Sequence, residues 1–159
     1  MRSKNMQISE RAIINFFDSL DEEKETFRLS LDEVLKSEMI IIEEIGGEIV
    51  GIAGIRRHKM FPVLFIVVKS SFQGKGLGKK LLTTLHDVAK TKYSFIVLSV
   101  IKENMRAVNL FRKFGYVIFA EKDGSYFMVK PFNCIGRVVS KLLMLAGPVI
   151  TSILLHLSY

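Results

Sequence analysis

The sequence predicts an α/β domain in which a mixed sheet is flanked by helices, and two observations carry that expectation. Apolar periodicity changes along the chain in the order helix, helix, three strands, helix, strand, helix, two strands. A stretch reading SFQGKGLGKKLL, from Ser71 to Leu82, places three glycines and three lysines where an apolar strand gives way to an amphipathic helix. At 159 residues the chain has the size of one domain with a single sizeable core.

The elements follow in order. From Ser9 to Leu20, SERAIINFFDSL offers a capping serine and an apolar helical stripe of Ile13, Ile14, Phe16, Phe17 and Leu20. DEEKETFRLSLDEVLKS reads as one or two short helices with acids near their starts, where the helix dipole favours them. The β-branched run from Met39 to Ile45, the pair Gly46-Gly47 and EIVGIAGIRR predict a hairpin, and VLFIVVKS a third strand ending at Ser70. After the glycine stretch, KKLLTTLHDVAKTK places Leu81, Leu82, Leu85 and Val88 on one helical face. SFIVLSVI is a continuous apolar run suited to a strand buried on both faces. A helix from Met105 to Phe114, a strand from Tyr116, a turn at Asp123-Gly124 and a last strand SYFMVK complete the pattern.

A net charge of +7 and a pI near 9.6 favour anionic partners. The cations are dispersed and not interleaved with aromatic residues, so no nucleic-acid face is expected. The single cysteine, Cys134, excludes an internal disulfide or a cysteine-rich zinc site, and His58, His86 and His156 lack metal-ligand spacing. No metal is expected, and each histidine is expected at the surface or on a helix face. The opening MRSKNMQISER lacks the apolar run of a secretory signal, which gives a cytoplasmic expectation.

A helix start that follows a strand through glycines exposes unpaired N–H groups to an anion, and Lys75, Lys79 and Lys80 add charge of the right sign. The register lacks the GK[ST] ending of a Walker A loop. Gly74, Gly76 and Gly78 are spaced GxGxG and not GxGxxG, which disfavours a dinucleotide site. The spacing [QR]xxGxG, a pyrophosphate cradle for coenzyme A, fits without adjustment.

On Gln73, Gly76 and Gly78 the chain resembles the GCN5-related N-acetyltransferase (GNAT) family. A second match is LSVIKENMRAVNLFRKFGY, similar to the family pattern N-x-x-A-x-x-L-[YF]-x-x-x-G-[FY] through Asn104, Ala107, Leu110, Phe111, Gly115 and Tyr116. The resemblance covers roughly residues 8 to 131 and suggests an acetyltransferase domain over 1–133, followed by a hydrophobic helical tail over 134–159. It implies a mostly antiparallel sheet whose central strand pair splays between VLFIVVKS and SFIVLSVI, with acetyl-CoA in the wedge as co-substrate. Backbone groups near Val67 and Val68 would then pair with the pantetheine amides. Gln73, Gly74, Lys75, Gly76, Leu77, Gly78 and Lys79 would cradle the pyrophosphate, and Asn104 and Phe111 would lie beside the cofactor. The reaction implied is direct attack by an amine in a ternary complex, without an acyl-enzyme.

Two positions depart from the family's common chemistry. Phe111 stands where a tyrosine acid is usual, and Ser99 where the ribosomal-protein type often carries a glutamate base. Replacement acids or bases are weak candidates: Glu43, Glu44, His58 and Tyr116, with Glu103, Tyr126 and Cys134 behind them. Solvated glutamates, an exposed histidine and a packed tyrosine are the plainer readings. A second function therefore stays open, a non-catalytic acyl-CoA-binding sensor or scaffold. The acceptor class, a small-molecule or a protein amine, is open too.

The tail, RVVSKLLMLAGPVITSILLHLSY from Arg137, carries no charge after Lys141 and is apolar on every side of a helix. About twenty such residues would span roughly 30 Å, the thickness of a bilayer core. Three readings follow: an anchor holding the domain at the cytoplasmic face of a membrane, a homo-oligomer interface, or helices folded against the domain.

Overall fold

The computed structural model describes residues 10–20, 30–58 and 61–147. Its elements are α1 (Glu10–Asp18), α2 (Leu31–Leu35), β1 (Met39–Ile45), β2 (Glu48–His58), β3 (Phe61–Val68), a 3-10 turn (Ser70–Phe72), α3 (Leu77–Lys92), β4 (Phe95–Ile101), α4 (Met105–Lys113), β5 (Val117–Lys122), β6 (Ser125–Pro131) and α5 (Cys134–Leu145). The possible helix before α2, and the end of the tail, lie outside the described residues.

The strands form one six-stranded sheet in the order β1-β2-β3-β4-β6-β5. Every neighbouring pair is antiparallel except β3 and β4, which run parallel and meet at a single rung, Val63 opposite Val97. Beyond that rung the two strands diverge, giving the splayed central pair.

Period-2 alternation along the strands sends side chains to two cores. On one face, Leu81, Leu82 and Leu85 of α3 and Phe111 of α4 pack on Leu64, Ile96 and Leu98. On the other, α1 and α2 bring Ile13, Phe16 and Val34 onto Ile52, Phe65 and Val67. The short α2 is held by a capping box in which the Ser30 hydroxyl accepts from the Glu33 N–H and the Glu33 carboxylate accepts from the Ser30 N–H.

Two expectations are corrected. Val88 is 45% exposed, because the buried stripe of α3 runs through Leu81, Leu82, Leu85, His86 and Ala89. His86 is thus a core residue, its Nε2 2.8 Å from the Tyr116 hydroxyl and its ring edge-on to Phe114 and Phe132. Burial, reinforced by the positive charge of Lys130 and opposed by Asp87, pulls its pKa down to about 4.

The beginning of the tail is also less uniform than its composition suggests. α5 starts at Asn133, whose side chain caps the Gly136 N–H at 2.9 Å, and turns Gly136, Ser140 and Leu143 onto the sheet. Leu143 joins Val63, Val97, Phe119, Phe127 and Val129 in a third cluster on the α1/α2 face of the sheet. Among the described residues, no helix is long and apolar enough to cross a membrane.

A Cβ at Gly136 would drive into the Ser94 carbonyl oxygen, so Gly136→Ala is expected to cost about 1–3 kcal/mol and to lower the unfolding midpoint in urea. His86 makes a separate prediction. An unfolded histidine takes up its proton near pH 6.5 and folded His86 near 4, so stability should fall as pH drops through that interval. The loss approaches about 3 kcal/mol and should vanish in His86→Leu, measured by urea unfolding at each pH. Glu38 is held at about 2 by hydrogen bonds from Arg57, Tyr93 and Lys92, so its contribution disappears only below pH 4.5 and does not overlap most of that window.

Candidate functional site

Splaying of β3 from β4 opens a cavity of about 580 Å³, lined by residues of both strands and by the starts of α3 and α4. Its walls come from both faces of the sheet. Leu64, Ile66, Val68, Leu98 and Phe111 line the side toward α3 and α4. Arg56, Phe65, Ser99, Phe119 and Phe127 line the side toward α1, α2 and α5.

The ladder decides which backbone groups face the wedge. The Lys69 N–H donates to the Val50 carbonyl, so Lys69 and Val50 form a hydrogen-bonded pair; two residues on, so do Val67 and Ile52. The backbone of Val67 is therefore committed to β2, and Ile66 and Val68 turn their N–H and C=O groups toward β4. This corrects the expectation for Val67, which lines the cavity but is packed in the α1/α2 core.

At the mouth, Gly74 and Gly76 adopt φ of +79° and +83°, left-handed values that glycine adopts freely. Gly76 is the N-cap of the 16-residue α3 and supplies no side-chain cap, so the first N–H groups of the helix are left without one where Gly76, Leu77, Gly78 and Lys79 line the cavity. Gly78 serves packing instead, since a Cβ there would press on Leu110 at 3.3 Å and its absence lets α3 lie against α4.

Gln73 ties the mouth together. Its Nε2 donates to the Val68 carbonyl at 3.0 Å, and its Oε1 accepts from Arg106 Nη1 at 2.9 Å. Arg106 lies so near the loop that a Cβ on Gly74 would sit 2.7 Å from Nη2. It is a site residue that the sequence alone does not single out, standing at an unspecified position of the N-x-x-A motif. Lys79 also lines the cavity, whereas Lys75 lies over the Phe72 ring at 4.9 Å and Lys80 pairs with Glu43 at 2.6 Å. Leu77 lines the cavity at the first turn of α3. Asn104 lines it too, with its Oδ1 accepting from the Ala107 N–H at 3.1 Å as the N-cap of α4.

None of the candidate acids and bases lines the cavity. Glu43 is spent on Lys80, on the α3 face. Glu44 and Glu103 are exposed, and His58 ends β2 opposite Phe61, at the end of β3 away from the glycines. Tyr116 is buried against His86 and Phe111, its pKa pushed well up by burial. Tyr126 lies beneath Lys102, and Cys134 is exposed on α5. Phe111 is a core residue that also lines the cavity. Ser99, by contrast, is exposed into it.

A second residue missed by sequence is Arg56. Its side chain is 11% exposed, lines the cavity and meets Glu33 of α2 at 3.2 Å. Burial lowers its pKa and Glu33 opposes the shift. Among the described residues no cluster of histidine, cysteine or acid side chains could hold a metal.

The family model described as "Acetyltransferase (GNAT) family" matches residues 7–116. A spermine/spermidine N(1)-acetyltransferase of Bacillus subtilis (strain 168) is 39% identical over 67 residues, 40% of this chain and 44% of that protein. The chain thus matches less than half the length of that curated relative. An acetyltransferase of the GNAT family from Streptococcus pneumoniae superposes with a TM-score of 0.55 at 25% identity, over 65% of this chain and 72% of that one. The fold also matches yncA, a putative acetyltransferase from Salmonella typhimurium solved with its cofactor acetyl-CoA, with a TM-score of 0.65, 18% identity and coverage of 79% and 91%.

Arg106 lies beside the glycine loop at the uncapped start of α3; if that helix start takes the pyrophosphate, Arg106→Gln is expected to weaken coenzyme A binding about 10-fold and to leave pantetheine binding unchanged, by calorimetry. Equal effects on both ligands would remove Arg106 from the phosphate site.

Proposed function

The chain belongs to the acetyltransferase (GNAT) family, and we propose that it is an N-acetyltransferase that moves an acetyl group from acetyl-CoA to an amine acceptor by direct attack in a ternary complex. The observation that carries this reading is the cavity itself, a wedge between β3 and β4 with an uncapped helix start at its mouth. It fits the ligand in both chemistry and shape. The N–H groups at Gly76, Leu77 and Gly78, with Lys79 and Arg106, suit a pyrophosphate. Ile66 and Val68 present backbone donors and acceptors along a free strand edge, suited to the amides of a pantetheine arm.

Bound acetyl-CoA would supply the thioester carbonyl and a thiolate leaving group. The protein's part is mainly positioning. Backbone groups of β3 orient the arm, and apolar walls exclude water. The cavity's half toward α1 and α2, with Arg56 and Ser99, receives the acceptor. The described lining side chains include no carboxylate and no imidazole, so on this reading the acceptor amine sheds its proton to solvent. A thiolate leaves readily without a dedicated acid, since thiols are already fairly acidic. Cys134 lies off the cavity, and Ser99 and Ser125 have no base among the described lining residues, which favours direct transfer over an acyl-enzyme.

Calorimetric titration with acetyl-CoA, with ATP and NAD as controls, should give selective micromolar binding, about 8 kcal/mol. Gly76→Asp, which puts a carboxylate at the helix start, should abolish it; retained binding in a folded Gly76→Asp variant would sink the cradle assignment. Free-thiol release across a panel of amines, polyamines and peptide termini included, then tests turnover. Binding without release on any amine would favour the sensor or scaffold role.

A further inference from the structure

We propose that the outward face of α5 is a peripheral docking surface for an anionic lipid bilayer. Ile135, Val138, Leu142 and Leu145 are 67%, 58%, 57% and 83% exposed. At 100° per residue they fall within an arc of about 80°, a continuous apolar stripe along the whole helix. The opposite side of the same helix is already used, with Gly136, Ser140 and Leu143 on the sheet. Among the described residues, none of the core clusters includes the stripe.

The charge around the stripe selects the occupant. Arg137 and Lys141 are exposed on the arc beside it. From Gly124 to Tyr159 the sequence contains Lys130, Arg137 and Lys141 and no aspartate or glutamate at all. Helices that lie in the membrane interface combine an apolar stripe with flanking lysine and arginine, which meet anionic head groups. A symmetric pairing with a second copy would instead bring Arg137 and Lys141 of each helix together, with no acid on either to answer them. The chain after Gly147, PVITSILLHLSY, adds only apolar and uncharged polar residues and one histidine, so it leaves this balance of charge intact. Because α5 is already folded on the sheet, docking incurs no cost of helix formation.

This inference is independent of acetyl transfer. The test is flotation of the full chain with vesicles of phosphatidylcholine alone and with phosphatidylglycerol added. Binding is expected only with the anionic lipid, and should weaken as salt rises from 0.1 to 1 M, where the screening length falls from about 10 to about 3 Å. Val138→Glu with Leu142→Glu, both exposed positions, should reduce binding about 100-fold, and Arg137→Gln with Lys141→Gln about 20-fold, with unfolding midpoints unchanged. Absence of binding to anionic vesicles overturns the proposal. So does undiminished binding of the Val138→Glu, Leu142→Glu variant, which would put the contact elsewhere on the chain. A dimer of the parent protein that this variant dissociates would assign the stripe to self-association, and also overturns it.

Discussion

The site depends on one rung. β3 and β4 are the parallel neighbours in an otherwise antiparallel sheet, and they pair at Val63 and Val97 alone. A full ladder would seal the sheet and leave no cavity; no rung at all would leave two separate half-sheets. The single contact is braced from below, since Val63 and Val97 share a cluster with Phe119, Phe127, Val129 and Leu143. α5 therefore supports the vertex of the wedge with one face while its other face stays open to solvent. Through Leu143, the start of the apolar tail contributes directly to the geometry of the site.

Splaying leaves β3 with polar backbone groups that have lost their natural partner strand. Such groups must find hydrogen bonds elsewhere or face water. Gln73 provides one partner, since its amide reaches back to the Val68 carbonyl while its oxygen takes a bond from Arg106. The glutamine of the [QR]xxGxG spacing thus closes the exposed end of β3 and ties it to the first turn of α4. Glycine at 74 leaves room for the arginine, and glycine at 78 leaves room for Leu110. The spacing is a set of packing and conformational requirements around one helix start.

The fold is legible because its signals are local. Periodicity, the Gly46-Gly47 turn and the apolar run from Phe95 to Ile101 each mark an element within a few residues, and the two motifs lie on the loop and helix that build the mouth. What sequence does not reveal depends on contacts between distant segments. Arg56 and Glu33 meet only because α2 lies over β2. Glu43 looks available until α3 brings Lys80 to it. His86 reads as a helix-face polar residue because its partner, Tyr116, lies 30 residues on. The Val67 correction is different in kind: the strand itself is evident, but which of its residues faces β4 depends on register with β2, which a single strand's sequence does not encode.

The charge of the cavity bears on how the proposed transfer would proceed without a dedicated acid or base. The charged side chains among its described lining residues are Arg56, Lys79, Arg106 and Lys113, all cationic. Lys79 and Arg106 stand at the glycine-loop mouth, and Arg56 is partly neutralised by Glu33. Positive potential favours the neutral form of an amine and the anionic form of a thiol. Both are the forms the reaction needs, the first in the attacking group and the second in the leaving group. Phe111 and Ser99 then cease to be defects. Phenylalanine and serine leave the walls without a competing acid or base there, and in the proposed transfer the surrounding cations would shift both proton equilibria in the productive direction.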